Sequence, residues 1–181
     1  KLNVVLFTPQ NVDLVAGSPS VRRRYMDDVL SQVQEEYSES LSRYSTALRQ
    51  RNAALRHVRD EGGNPAQLAP FERVLAENGV IIASRCRTLL DSLSARVKRI
   101  HEELTGEAEW LRLDYVPNFD PGAPPALRAH VGMDVSGQKG ARGDVSFRRL
   151  VEVYRKALVE RRPKEVARGV TVFGPHRDEI R

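Results

Sequence analysis

The stretch between Ser18-Pro19 and Gly62-Gly63-Asn64-Pro65 constrains this chain more than any other. Ser18 suits a helix N-cap, since its hydroxyl can accept a free backbone N–H of the first turn. Pro19 then falls at the first helical position, where a missing N–H costs nothing and the fixed φ already fits. Apolar residues follow at Val21, Tyr25, Val29, Val33, Tyr37, Leu41, Tyr44, Leu48, Leu55 and Val58. The steps are mostly four and sometimes three, the stripe of an amphipathic helix. The predicted helix from Pro19 to Glu61 spans roughly 60 Å if unbroken. A helix of that length suits an arm better than the middle of a compact domain.

A second helix is predicted from about Pro70 to Leu104, striped by Phe71, Leu75, Ile82, Cys86, Leu89, Leu93, Val97, Ile100 and Leu104. Gly79 inside it permits a close crossing or a kink. Two long helices joined by a short Gly/Pro turn make an antiparallel hairpin. Leu41, Leu48, Leu89 and Leu93 are its predicted buried leucines. Trp110 to Val116 alternates apolar and polar residues and reads as a strand closed by Pro117. Residues 117–143, rich in Pro, Gly and Ala, read as a loop with a short helix near Ala126 to His130. Ser146 is placed to cap a third helix, which Arg161-Arg162-Pro163 breaks before one further turn from Pro163 to Ala167. Short β-rich runs lie near each end, Val4 to Phe7 and Val170 to Phe173. They read as strands of a sheet whose remainder lies outside this stretch. The expected fold class is mainly α: a long antiparallel helical hairpin with a few short strands at the termini and near 110–116.

The formal charge is +5, and arginine outnumbers lysine, a bias that suits phosphate or carboxylate recognition. Cys86 is the only cysteine, which excludes an internal disulfide and fits a reducing cytoplasm. No apolar run approaches the length of a membrane span. Phosphate-loop, dinucleotide-turn, HExxH and nucleophile-elbow motifs are all missing. His57, His101, His130 and His176 are scattered. Only His176, Asp178 and Glu179 have a spacing from which a metal site is conceivable.

Two arginine clusters are candidates for binding. Arg22, Arg23 and Arg24 sit in the first turns of the long helix, where positive charge opposes the macrodipole. Some have acidic neighbours to pair with in Asp27 and Asp28; the others are free for phosphate or a neighbouring domain. Arg51, Arg56 and Arg59 form a basic stretch later in the same helix, either a solvated face or a phosphate contact.

Three blocks of sequence point to a family. Phe7-Thr8-Pro9, Asp13-Leu14-Val15, Gly17-Ser18-Pro19 and Arg22-Arg23-Arg24-Tyr25-Met26-Asp27 together form the first. Gln50-Arg51-Asn52-Ala53-Ala54-Leu55 is the second, and Thr171-Val172-Phe173-Gly174-Pro175-His176-Arg177-Asp178-Glu179 the third. In order and spacing they resemble the RecF recombination-repair family. Gln10-Asn11 stands where the family commonly has an acidic pair, Tyr25-Met26 replaces Phe-Leu, and Glu179 replaces a final Asp.

The resemblance implies the helical second lobe of a cassette-type ATPase head related to the SMC proteins. Residues 1–17 would connect from the head, 18–169 would form the lobe, and 170–181 would return to the head. It implies a parent that binds ATP with Mg²⁺, dimerises on ATP and engages single-strand/double-strand DNA junctions. Such a parent works with RecR and RecO to load RecA. Gln10 occupies the junction where cassette ATPases carry a γ-phosphate-sensing glutamine; an ordinary strand-end loop is the other reading. Arg22, Arg23, Arg24, Arg51, Arg56, Arg59, His176 and Arg177 become candidate DNA or partner contacts. The chain itself holds no complete catalytic site, and no catalytic or metal-ligating residue is assigned. A purely structural hairpin without direct DNA contact is the competing reading.

Overall fold

The computed structural model describes residues 13–106, 108–119 and 145–181. A short helix α1 (Asp13–Ala16) precedes α2 (Pro19–Val33) and α3 (Glu35–Glu61). A 3₁₀ turn, Pro65–Leu68, leads into α4 (Ala69–Thr105). Strand β1 (Tyr115–Val116), helix α5 (Val145–Arg168), a 3₁₀ turn Pro175–Arg177 and strand β2 (Glu179–Ile180) complete the order. α3 and α4 form the antiparallel hairpin, and α5 packs across both. The fold is therefore mainly helical, as the sequence patterning requires.

The expected single helix over Pro19–Glu61 is two helices. Gln34 adopts extended dihedrals, φ −131° and ψ 107°, between α2 and α3. Glu35 and Glu36 then open α3, placing negative charge at the positive end of its macrodipole. The break lets Tyr37 reach back across it, its hydroxyl donating to Asp27 Oδ1 at 2.5 Å. At the far end α3 stops where expected: Gly62 takes the left-handed conformation, φ 71°, and its N–H donates to Val58 O. The Asn64 side chain then accepts from Ala66 N and starts the next turn.

The core lies where α3, α4 and α5 meet. It includes Leu30, Tyr37, Tyr44, Leu75, Val80, Ile82, Leu150, Tyr154 and Leu158. Gly79 serves the close crossing rather than a kink, and α4 runs unbroken through it. A Cβ at Gly79 would lie 2.7 Å from Tyr154 Cε1 and 3.2 Å from Tyr44 Cε2. Two tyrosine rings thus occupy the space a side chain would need. Leu41, Leu48, Leu89 and Leu93, expected at the centre, are only partly buried. Beyond Leu93 the final turns of α4 run past their partners, leaving Ile100 and Leu104 exposed.

Three further expectations need correction. α5 passes through Pro163 without a break. A mid-helix proline costs roughly 3 kcal/mol; here its neighbours Arg162 and Glu165 are fixed by ion pairs to other helices. The strand expected over Trp110–Val116 shrinks to Tyr115–Val116, paired antiparallel with Glu179–Ile180. Reciprocal backbone bonds between Asp114 and Arg181 extend that ladder by one residue pair. Val170–Phe173 is not a strand: its two central amides are taken by side chains, and Val170 N donates to Glu165 O of the helix end. Asn52 Oδ1 accepts from Thr171 N, and Glu165 Oε1 accepts from Val172 N, each at 2.8 Å. The Val4–Phe7 strand and the short helix near Ala126–His130 fall outside the described residues.

Candidate functional site

The described parts of the three sequence blocks converge on one site. Residues 170–181 lie in a groove along α3 and α2, and the other two blocks hold them there. Arg22 Nε donates to Ile180 O at 2.6 Å, and Arg22 Nη1 donates to Gly17 O at 2.8 Å. Arg23 Nη1 donates to Asp178 O at 2.6 Å. These arginines do not pair with Asp27 or Asp28. They satisfy backbone carbonyls of distant chain segments, which accounts for positive charge at a helix N-terminus.

Arg51 binds the start of the same segment. It is fully buried, at 0% exposure. Its Nη1 donates to Thr171 Oγ1 at 2.8 Å and lies 2.7 Å from Glu165 Oε2. Its Nη2 donates to Glu72 Oε1 at 3.1 Å. Arg162 closes the cluster with a bidentate pair to Glu72, at 2.8 and 2.5 Å. Two cations thus balance two carboxylates, as a dry interior demands. Arg51 is therefore withdrawn as a phosphate contact: no face of it reaches solvent.

The polar network continues through His176. Thr171 O can only accept, so His176 Nε2, 3.2 Å away, carries the proton. His176 Nδ1 then accepts from the Tyr44 hydroxyl at 2.7 Å, and Tyr44 in turn accepts from Tyr154 at 3.4 Å. Both ring nitrogens are used internally, so His176 too is withdrawn as a surface contact. Asp178 is held as firmly: it accepts from the Tyr115 hydroxyl and, at 2.7 Å, from Asn118 N. Between them the chain makes the 3₁₀ turn Pro175–Arg177.

Burial lowers the His176 pKa to about 4, with Arg177, Arg23 and Arg51 adding to the effect and the Thr171 carbonyl opposing it. The folded value lies below the ordinary 6.5, so the native state resists protonation more than the unfolded chain does. Its contribution to stability is intact above about pH 6.5 and is lost as pH falls toward 4. Across that window the denaturant midpoint of the wild type should fall relative to that of His176→Gln, which lacks the titrating ring. Asp27 and Asp178, raised by burial, act in the opposite sense in both proteins and so cancel from the comparison.

Four of the expected contacts remain on the surface: Arg24, Arg56, Arg59 and Arg177. Arg24 and Arg56 have no ion-pair or hydrogen-bond partner among the described residues, whereas Arg59 lies against Asp60. Gln10 falls outside the described residues. Among those described, no group of His, Cys, Asp and Glu has the arrangement to hold a metal ion, and no helix is long and apolar enough to cross a membrane.

No family model matches the chain. Curated relatives do. Over 179 residues it is 35% identical to the DNA replication and repair protein RecF of Heliobacterium modesticaldum, covering 99% of this chain and 42% of that one. Over 182 residues it is 34% identical to RecF of Herpetosiphon aurantiacus, covering 99% and 40%. This chain belongs to the RecF family.

The chain spans about two fifths of the length of those RecF relatives. Solved structures share its fold. The recombination mediator protein RecF-ATPrS of the RecFOR pathway superposes with a TM-score of 0.76 at 22% identity, covering 96% of this chain and 41% of that one. The RecF-ATP structure gives 0.75 at 23% identity. The hairpin, α5 and the docked segment therefore correspond to a helical part of RecF.

Sequence reading missed Glu72, Glu165, Asn52, Asn118 and Thr171 as partners. One signal was available. The stripe of the first long helix skips from Leu48 to Leu55, and Arg51 sits in that gap at core phase. A charge at core phase calls for buried partners.

Proposed function

We propose that this chain is the helical lobe of a RecF-type ATPase that engages DNA at single-strand/double-strand junctions. In this reading ATP drives dimerisation of the parent, which acts with RecR and RecO to load RecA. The observation that carries the proposal is the exposed Arg177 on a turn whose neighbours on both sides are internally bonded. Its guanidinium is offered outward from a fixed base, the preorganisation a phosphate or carboxylate contact needs. Arg24, Arg56 and Arg59 supply further surface charge.

These residues do not themselves supply nucleotide chemistry. The sequence holds no phosphate loop. The cavity beside the docked segment, about 210 Å³, falls below the roughly 300–1,000 Å³ of ordinary small-molecule sites. ATP and Mg²⁺ therefore belong, in this proposal, to parts of the parent outside this stretch. The segments 1–17 and 170–181 would lead to and from them.

The test is salt-dependent binding of gapped DNA to the full-length protein, followed by fluorescence anisotropy. Replacing Arg24, Arg56, Arg59 and Arg177 together with glutamine should weaken binding equally for unrelated sequences. It should also lower the slope of log affinity against log salt by about one for each phosphate the protein no longer touches. An unchanged slope would favour the purely structural hairpin.

A further inference from the structure

Charge is not spread evenly over this chain. Helix α5 carries eight of its 29 lysines and arginines and three of its 24 acids. The other 21 cations and 21 acids cancel, so the whole net charge of +5 resides on one helix of 24 residues. Part of that charge is used inside the fold. Glu165 is buried against Arg51, Arg162 pairs with Glu72, and Arg161 lies over the Phe173 ring, 4.0 Å from its centre. Six cations and two acids of α5 are left exposed. Of these, Arg155 pairs with Glu152. Arg148, Arg149, Lys156, Lys164 and Arg168 have no ion-pair or hydrogen-bond partner among the described residues, and Glu160 is the one acid left to face them.

The five cations form a long row. At 1.5 Å per residue, Arg148 to Arg168 spans roughly 30 Å. Lys164 and Arg168, one turn apart, repel each other within the lobe. The row does not stop at the end of the helix. Arg168 adjoins Gly169, where a Cβ would lie 2.5 Å from Arg59 Nη1 and 3.0 Å from Arg56 Cγ. The positive surface of α5 therefore runs on to Arg56 and Arg59 of α3.

We propose that this row lies along the phosphates of duplex DNA, the double-stranded arm of the junction, over close to one helical turn of about 34–36 Å. A rigid helix holds the charges at fixed spacing, which suits a stiff polyanion. A single strand is gripped through bases stacked on aromatic rings, and α5 exposes none: Tyr154 is buried and Phe147 is half-buried. An acidic protein partner needs an apolar anchor at its centre, and the outward apolar residues of α5 are the separate valines Val145, Val153 and Val159. This inference rests on the DNA-contact proposal and deepens it. It names the strand state that the lobe holds, and it adds a face that the earlier proposal does not use.

The test uses the full-length protein with two fluorescein-labelled probes of one sequence, a blunt duplex and its single strand, followed by anisotropy over a salt series. Replacing Arg148, Arg149, Lys156, Lys164 and Arg168 with glutamine should weaken duplex binding at least about tenfold at physiological salt. The slope of log affinity against log salt should fall by about 0.9 for each phosphate given up, and so by at least about 2 in all. Single-strand binding should change less than about twofold. Glu160→Gln, which removes the one facing acid, should tighten duplex binding about two- to threefold. Equal losses on both probes overturn the duplex assignment. An unchanged slope in the five-residue variant, or no gain from Glu160→Gln, overturns the contact itself. If only the variant of Arg24, Arg56, Arg59 and Arg177 loses DNA binding, the earlier proposal stands and this one fails.

Discussion

Arg51→Gln should destabilise the fold by roughly 3–5 kcal/mol, the range for removing one partner of a buried ion pair. The glutamine leaves Glu165 without a cation, and Glu72 with Arg162 alone. It also removes the donor to Thr171 Oγ1, so the loss reaches the docked segment as well as the hairpin. Urea midpoints of the wild type and variant measure it. The double variant Arg51→Gln with Glu165→Gln, set beside Glu165→Gln alone, should recover part of the loss, because the orphaned negative charge is gone while the acceptor for Val172 N is kept. A coupling of about 1 kcal/mol or more between the two sites is the expected signature of direct partners. If Arg51→Gln stayed within about 0.5 kcal/mol of wild type, as surface substitutions do, the buried network would not be a structural keystone. The same substitution is a poor probe of DNA binding, since a weakened fold and a missing phosphate contact would look alike at a single salt concentration.

The hairpin was legible in the sequence because its signals are local. The Ser18-Pro19 start, the Gly62 stop and the four-and-three stripe each act within a turn or two of chain. What was not legible depends on partners far away in sequence. Pro163 reads as a break until Glu72 and Arg51, on other helices, are seen holding its neighbours. Val170–Phe173 reads as a strand because it is β-rich, yet the amides of Thr171 and Val172 bond to the side chains of Asn52 and Glu165. The break at Gln34 falls in the middle of a regular stripe, with only the Glu35-Glu36 pair to mark it. The candidate site was half legible. Its three blocks were visible as blocks, but their mutual contacts were not. Nothing in the spacing of Arg22, Arg23 and Arg51 says that two arginines serve carbonyls and a third serves buried acids.

Gly174 is the residue on which the docked segment turns. Its φ of 129° and ψ of 177° lie in a region essentially restricted to glycine, where other residues carry roughly 1–3 kcal/mol of strain. A Cβ there would also collide with the hydroxyls of Tyr154 and Tyr44. Tyr44 cannot yield freely, because its hydroxyl donates to His176. Gly174→Ala should therefore cost more than strain alone and should act locally first. Amide exchange should accelerate at Arg177, Asp178 and Arg181, whose N–H groups bond to Gly174, Pro175 and Asp114 carbonyls. The α3–α4 hairpin should stay protected, since its contacts do not pass through Gly174. Gly174→Ala combined with Tyr154→Phe removes the nearer of the two clashes. Its relief should slow exchange part of the way back, and the remainder is the Tyr44 clash together with the backbone cost. Arg177 should lose its fixed base in the single variant, so gapped-DNA binding by the full-length protein should weaken although no arginine has been removed. Unchanged exchange over 175–181 would mean that the segment is held without this turn, and would detach the placement of Arg177 from the packing beneath it.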